Sequence, residues 1–395
     1  MGIKYFRRAT MLLVLLSSPV LVVSAQAQPD RVFIQLLSSE HATIKWRGGE
    51  ADAVCYSRKF KRLSKRFWRR CVNAKITAGG HKEAVLNRLK PDTTYYYAIG
   101  PNKNKYYQFR TSPNINKPPA DGNTRIWIVG DSGTQTEHGL HEGEAAQVLA
   151  GFESFKRSSG DEPVDLFLAL GDNAYLEGTD AQWQKAFFEI YPHILSSAMV
   201  LPTIGNHEMG QRQIPVCLFD TRVSCSSGRT VSVGGASVSS DANSYDGDGD
   251  GNPDEDGLPY LNIFSLPRVA EMGGVPSGTE QYYSADYANV HIVSLDSQLS
   301  ARDPDQREAM RRWLISDLAS NMRDWTIVIF HHPPYTKGAN HDSDDANHEH
   351  SLDQPEWDMR NEFTPIFESY GVDLVYSGHA HSYERSYYLK GHVGT

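Results

Sequence analysis

Downstream of residue 124, five apolar runs each stop at a short polar signal, and that repetition limits the fold more than any other feature. "RIWIV" runs into Gly130-Asp131-Ser132-Gly133, and "DLFLAL" into Gly171-Asp172-Asn173-Ala174-Tyr175. "LPTI" runs into Gly205-Asn206-His207-Glu208, "TIVIF" into His331-His332, and "VDLVYS" into Gly378-His379-Ala380-His381. Short apolar runs bounded by glycine read as buried strands. Helical patterns separate them, around 140–157 and 180–190, in "DQREAMRRWLISDLAS" and in "RNEFTPIFESY". A further strand, "NVHIVSLDS", precedes the third helix. Near-continuous apolar strands alternating with helices imply an α/β domain with covered sheets.

Residues 28–112 have a different rhythm. "HATIKWRG", the Thr/Tyr run after Pro91-Asp92 and "KYYQFRTSP" are short strands with turns at regular spacing, the pattern of an all-β sandwich. "SPNINKPPADGN" then reads as a linker, giving boundaries of 28–112, 113–123 and 124–395, with a polar insertion at 209–258. A length of 395 residues agrees with two domains. The formal net charge of -9 argues against a nucleic-acid partner, which would want a basic face. At the start, Lys4, Arg7 and Arg8 precede an apolar Met11–Val23 and a small-x-small Ala25-Gln26-Ala27, the layout of a secretory signal spanning 1–27. The expected location is therefore secreted or periplasmic, with no stable membrane insertion after cleavage. Four cysteines suit export; the local pairings Cys55–Cys71 and Cys217–Cys225 are expected among the three that sequence allows.

In open α/β sheets, ligands gather at the carboxyl ends of strands. Those ends deliver Asp131, Asp172, Tyr175, Asn206, His331, His379 and His381 to one crevice. Carboxylate, amide and phenol oxygens are hard donors, and imidazole suits Zn, Fe and Mn. Seven donors exceed what one ion needs. A carboxylate shared between two ions ~3.5–4 Å apart uses them all.

The order Asp-x-Gly, Gly-Asp-x-x-Tyr, Gly-Asn-His-Glu, Val-x-x-His and Gly-His-x-His resembles the calcineurin-like metallophosphoesterases. Tyr175 and "GHAHSYERS" resemble the purple acid phosphatase branch, and Leu89, Pro91, Thr93, Tyr95 and Tyr97 resemble its fibronectin type III-like N-terminal domain. The resemblance implies a two-sheet sandwich flanked by helices, and further strands beyond residue 395. It implies that Asp131, Tyr175 and His381 hold Fe(III), that Asp172 bridges, and that Asn206, His331 and His379 hold a divalent Fe, Zn or Mn. It also implies hydrolysis of phosphate monoesters by attack of a metal-bound hydroxide. His207 would sit over the phosphate, and His341 on the substrate side. Tyr383, Glu384 and Arg385 would brace their own loop. The partner is a small phosphorylated substrate. A phosphodiesterase or nucleotide pyrophosphatase on the same scaffold is the enzymatic alternative, and a non-catalytic surface binding protein the remote one.

Within the insertion, Asp246, Asp248, Asp250 and Gly251 match the start of a calcium loop, with Asp254 at its ninth position. Gly257 stands where an acidic twelfth ligand belongs, so a calcium loop and a solvated acidic loop both remain open.

Overall fold

The computed structural model describes residues 28–59, 70–100, 105–133, 143–215, 222, 224–235, 243–250, 252–338, 341–344 and 354–392. The N-terminal strands are β1 (Asp30–Gln35), β2 (His41–Arg47), β3 (Ala53–Ser57), β4 (Arg70–Asn73), β5 (Lys75–Ile76), β6 (His81–Asn87), β7 (Thr94–Ile99) and β8 (Tyr107–Arg110). β4-β3-β7-β8 form one antiparallel sheet, facing a second that contains β5-β6-β2-β1. Tyr95, Tyr97 and Phe109 fill the space between them with Trp46 and Ile44. Cys55 and Cys71 are directly paired across β3 and β4 and form a disulfide. The expected second bridge involves Cys217, which lies outside the described residues, as does the signal segment 1–27.

The downstream strands begin with β9 (Ile126–Val129), β10 (Leu166–Ala169) and β11 (Met199–Pro202), which pair in parallel. β12 (Gln211–Pro215) and β13 (Thr230–Gly234) make a hairpin inside the insertion. β14 (Tyr283–Tyr287), β15 (Val290–Ser294), β16 (Trp325–Ile329) and β19 (Leu374–Tyr376) make a four-stranded sheet, and β17 (Lys337–Gly338) and β18 (His341–Asp342) a minimal hairpin. The longer helices are α1 (Glu144–Ser158) and α5 (Pro304–Ser320). The shorter ones are α2 (Asp180–Trp183), α3 (Pro192–Leu195), α4 (Pro259–Ile263), α6 (Gln354–Asp358) and α7 (Thr364–Tyr370). α5 starts where the sequence marks it: Asp303 accepts from the backbone N–H groups of Asp305 and Gln306, and Pro304 takes the first turn.

The expected two-sheet fold is present, with one addition. β1 pairs in parallel with β11, so the N-terminal and downstream strands form a single seven-stranded sheet, β5-β6-β2-β1-β11-β10-β9. One apolar core runs across the junction from Phe33 and Ile34 to Phe188, Phe264 and Ile329. Arg31, whose side chain has no exposed surface, reaches from β1 to both carboxylate oxygens of Asp180 at 2.5 and 2.8 Å, and Arg47 joins the same carboxylate at 2.7 Å. A buried guanidinium held bidentately by a half-exposed carboxylate fixes orientation as well as charge. Residues 113–123 are anchored too: Asn116 donates its N–H to Ala288 O and accepts from Arg323 Nη1.

Candidate metal centre

The carboxyl ends of the two downstream sheets come close together, and small residues let them. A Cβ on Gly171 would lie 2.6 Å from the His331 ring, and one on Gly378 would lie 2.5 Å from an Asp131 oxygen. Gly171 has φ +87°, a conformation that costs other residues free energy. Four candidate ligands accept that cost: Asp131, Asp172, His379 and His381 all have φ between 50 and 70°. Left-handed backbone at non-glycine residues concentrates at functional sites, where the surroundings over-determine it. Here each such residue turns its side chain just as its strand ends.

Three of the proposed donors converge on the hydroxyl of Tyr175. Its oxygen lies 2.9 Å from His381 Nε2 and 3.2 Å from oxygens of both Asp131 and Asp172. Ligand atoms of Asp131, Asp172 and His381 fall within 4.8 Å of one another. Burial, and then the two carboxylates, push the Tyr175 phenol well above its ordinary value. Burial pushes the Asp131 carboxyl up as well, with the Asp172 charge adding to it. Asp172 is held low by His331 and His207 despite its own burial. Two buried carboxylates this close repel, and a cation between them removes the conflict.

On the other side, His331 is fully buried. Its Nδ1 lies 2.8 Å from the Leu170 carbonyl, so that nitrogen carries the proton and Nε2 turns inward. Nε2 lies 3.1 Å from Asn206 Oδ1 and 3.2 Å from Asp172. His379 donates its backbone N–H to Asp131. Its ring packs 5.1 Å from His331, 4.5 Å from His332 and 4.0 Å from His341. The seven donors thus form two clusters, an oxygen-rich one around Tyr175 and an imidazole-rich one around His331 and His379, with Asp172 touching both. Hard oxygens around one position and imidazoles around the other fit two cations.

The remaining expected residues separate. His207 donates its N–H to Asp172 at 2.8 Å, places Nδ1 2.7 Å from the Leu176 carbonyl and stacks 4.4 Å from Tyr175. His341 stands on β18 beside His379. His332 packs behind the cluster against Ser297 Oγ, and burial holds it neutral. Glu384 accepts from Thr336 Oγ1 and the Lys337 N–H, so it braces a neighbouring hairpin, whereas Tyr383 is 91% exposed and braces nothing. In the insertion, carboxylates of Asp246, Asp248 and Asp250 lie within 4.8 Å of one another. Asp254 instead accepts from the Gly247 N–H.

Sequence reasoning gave no role to two buried acids. Glu208 accepts backbone N–H groups from Asp172 at 2.9 Å, Asn173 at 2.6 Å and Gly205 at 2.6 Å, tying the loops after β10 and β11 together. Its signal was present, as the last residue of Gly-Asn-His-Glu. Glu356 on α6 is fully buried, its carboxylate within 4.8 Å of His341 and His379 nitrogens. The stretch "QPEWD" around it carries no signal.

Residues 124–383 match the family model described as calcineurin-like phosphoesterase. Purple acid phosphatase 22 of Arabidopsis thaliana is 24% identical over 91% of this chain and 68% of its own length. The phosphoenolpyruvate phosphatase of Allium cepa is 26% identical over 80% of this chain and 53% of its own. The structure of purple acid phosphatase PPD1 from yellow lupin (Lupinus luteus) seeds superposes with a TM-score of 0.57 at 19% identity, covering 90% of this chain and 58% of that one. The chain thus spans between 53% and 68% of these relatives' length. The chain belongs to the calcineurin-like phosphoesterase family, as a purple acid phosphatase-like hydrolase whose family implies a dinuclear metal centre.

Proposed function

We propose that the protein is an exported acid phosphatase acting on phosphate monoesters. The observation that carries this reading is the Tyr175 hydroxyl, set within 3.2 Å of Asp131, Asp172 and His381. A phenol oxygen among hard donors suits a hard trivalent ion, so Fe(III) belongs with Asp131, Tyr175, His381 and the shared Asp172. Asn206, His331 and His379, with Asp172, would hold a divalent Fe, Zn or Mn. The chemistry such a pair supplies when bound is neutralisation of phosphate charge and a water of lowered pKa.

The chain's own groups do the rest. Asp172 orients both halves, since it contacts His331, Tyr175 and the His207 N–H. Because a carbonyl only accepts, the Leu176 carbonyl fixes a proton on His207 Nδ1 and leaves Nε2 to meet the ester. As an imidazolium, His207 keeps its Nδ1 proton on the Leu176 carbonyl, and its second proton, at Nε2, can pass to the departing oxygen. His341 supplies a second imidazole on the His379 side. The Cys55–Cys71 disulfide fits an oxidising compartment, which supports export.

The deciding experiment combines a visible spectrum, metal analysis and hydrolysis of p-nitrophenyl phosphate against its bis ester on one sample. A visible charge-transfer band lost in Tyr175→Phe, with faster monoester turnover at acid pH, is the expected result. A colourless protein with two divalent ions and diester preference would overturn it in favour of a phosphodiesterase.

A further inference from the structure

The insertion after Gly210 carries none of the ligands proposed for the two ions at the strand ends, yet its main chain reaches Asn206 and His207. Gly210 and Asp246 form an isolated bridge, and the Gln211 N–H donates to Asp246 O at 2.9 Å. The Gly235 N–H donates to Gly210 O at 3.0 Å. Between these feet the β12–β13 ladder is in register from Gln211↔Gly234 to Pro215↔Thr230. The hairpin is therefore tied at its base. Gly235, where it returns, is buried at φ +84°. A Cβ there would lie 2.9 Å from both Asn206 Nδ2 and His207 Cε1. His207 is thus enclosed by the Tyr175 ring, the Leu176 carbonyl and the Gly235 main chain.

We propose that the base of this hairpin, Gln211–Pro215 with Thr230–Gly235, is the wall of the reaction site on the leaving-group side. It selects phosphate esters whose leaving group is small enough to pass beside Gly235. The inference rests on the placing of His207 at the leaving group in the reading above. The proposed phosphate-binding donors come from five strand ends, and the wall from an insertion between two of them. Altering the wall should change which ester is accepted more than how phosphate is held.

The test replaces residues 212–234 by a short glycine–serine link and compares p-nitrophenyl phosphate with a phosphotyrosine peptide. In the shortened protein the ratio of kcat/KM, peptide over small ester, should rise about tenfold, the scale of a steric contact in a pocket. Inhibition by inorganic phosphate should change less than about threefold, because its donors are untouched. An unchanged ratio in a folded variant overturns the proposal. If the shortened protein does not fold, Gly235→Ala decides. Measured per folded molecule, it should lower kcat/KM at least about tenfold, the strain of an alanine at this φ being read separately as a lower Tm, and activity per folded molecule within about twofold of the parent overturns the wall. Should the parent prefer diesters, the monoesterase reading fails, while the ratio of bulky to small diesters still reads the wall.

Discussion

Between β1 and β6 the chain holds its shape mainly with apolar side chains, with Arg31 and Lys45 as buried cations among them; at the ends of β9, β10, β11, β16 and β19 it does so around clustered acids and imidazoles. In the first region Phe33, Ile34, Ile44 and Trp46 have no exposed surface, and a disulfide staples the facing sheet. In the second, Asp172, His331 and Glu208 are equally buried, and four ligand candidates adopt left-handed backbone. Apolar burial stabilises without direction. Buried charges cost free energy unless every partner is in place, so they specify geometry instead. The difference teaches that the N-terminal strands supply stability to a site that consumes it, through the shared β1–β11 edge.

The sharpest way to break the comparison is at Asp172, the group common to both ligand clusters. Asp172→Ala should lower kcat at least about 10³-fold, the scale of losing a preorganised charge-stabilising group, and reduce bound metal in an elemental assay. Retained activity would remove Asp172 from the site. The mirror substitution is Phe33→Ala, in the apolar cluster with Phe188 and Phe264 at ring distances of 5.2 and 5.9 Å. It should cost about 4 kcal/mol in denaturant unfolding while leaving turnover per folded molecule nearly intact.

A third test blurs the boundary, because one buried charge lies far from the strand ends. His291 on β15 sits 2.7 Å from Asp286 and 2.8 Å from Asp317, with Arg323 at 3.5 Å from Asp286. Burial disfavours its charge, but hydrogen bonds to the two carboxylates outweigh that and raise it to about 9. A raised histidine stabilises fully below its unfolded value of about 6.5, and that contribution is lost as pH rises through about 9. Stability should therefore fall by about 3 kcal/mol across this window, read from urea midpoints. The fall should vanish in His291→Gln. The smallest expected effect is Glu208→Gln, which keeps the shape but weakens the clamp on the Asp172, Asn173 and Gly205 N–H groups. Groups that orient ligands are worth about 10–100-fold in metal affinity, so a chelator titration should shift by that much with the fold intact.

Much of this was legible in the sequence because it is local. A strand that ends in Gly-Asp or Gly-His writes both its period and its candidate ligand within a few adjacent residues. Glu208 was half legible, since its place in the motif and its contact with Gly205 are local, but its N–H partners Asp172 and Asn173 lie 36 and 35 residues away and meet it only through folding. Glu356 was not legible, because an acid in a short polar helix looks solvated until α6 is buried. The continuity of the two regions was hidden for a similar reason. Ile34 and Met199 are neighbours in the sheet but far apart in the chain, and a Pro- and Gly-rich stretch such as "SPNINKPPADGN" reads as a linker whether or not its ends are docked.

By itself the sequence determined the alternation of strands and helices, and the candidate donor set and its order, since these follow from residue type and spacing. Only the tertiary structure decided that Tyr175 gathers Asp131, Asp172 and His381, that His379 packs among imidazoles, and that Gly235 closes on His207. The physical reason is that these are contacts between strand ends and loops distant in the chain. Their geometry is set by sheet pairing and by where a missing Cβ lets two backbones approach.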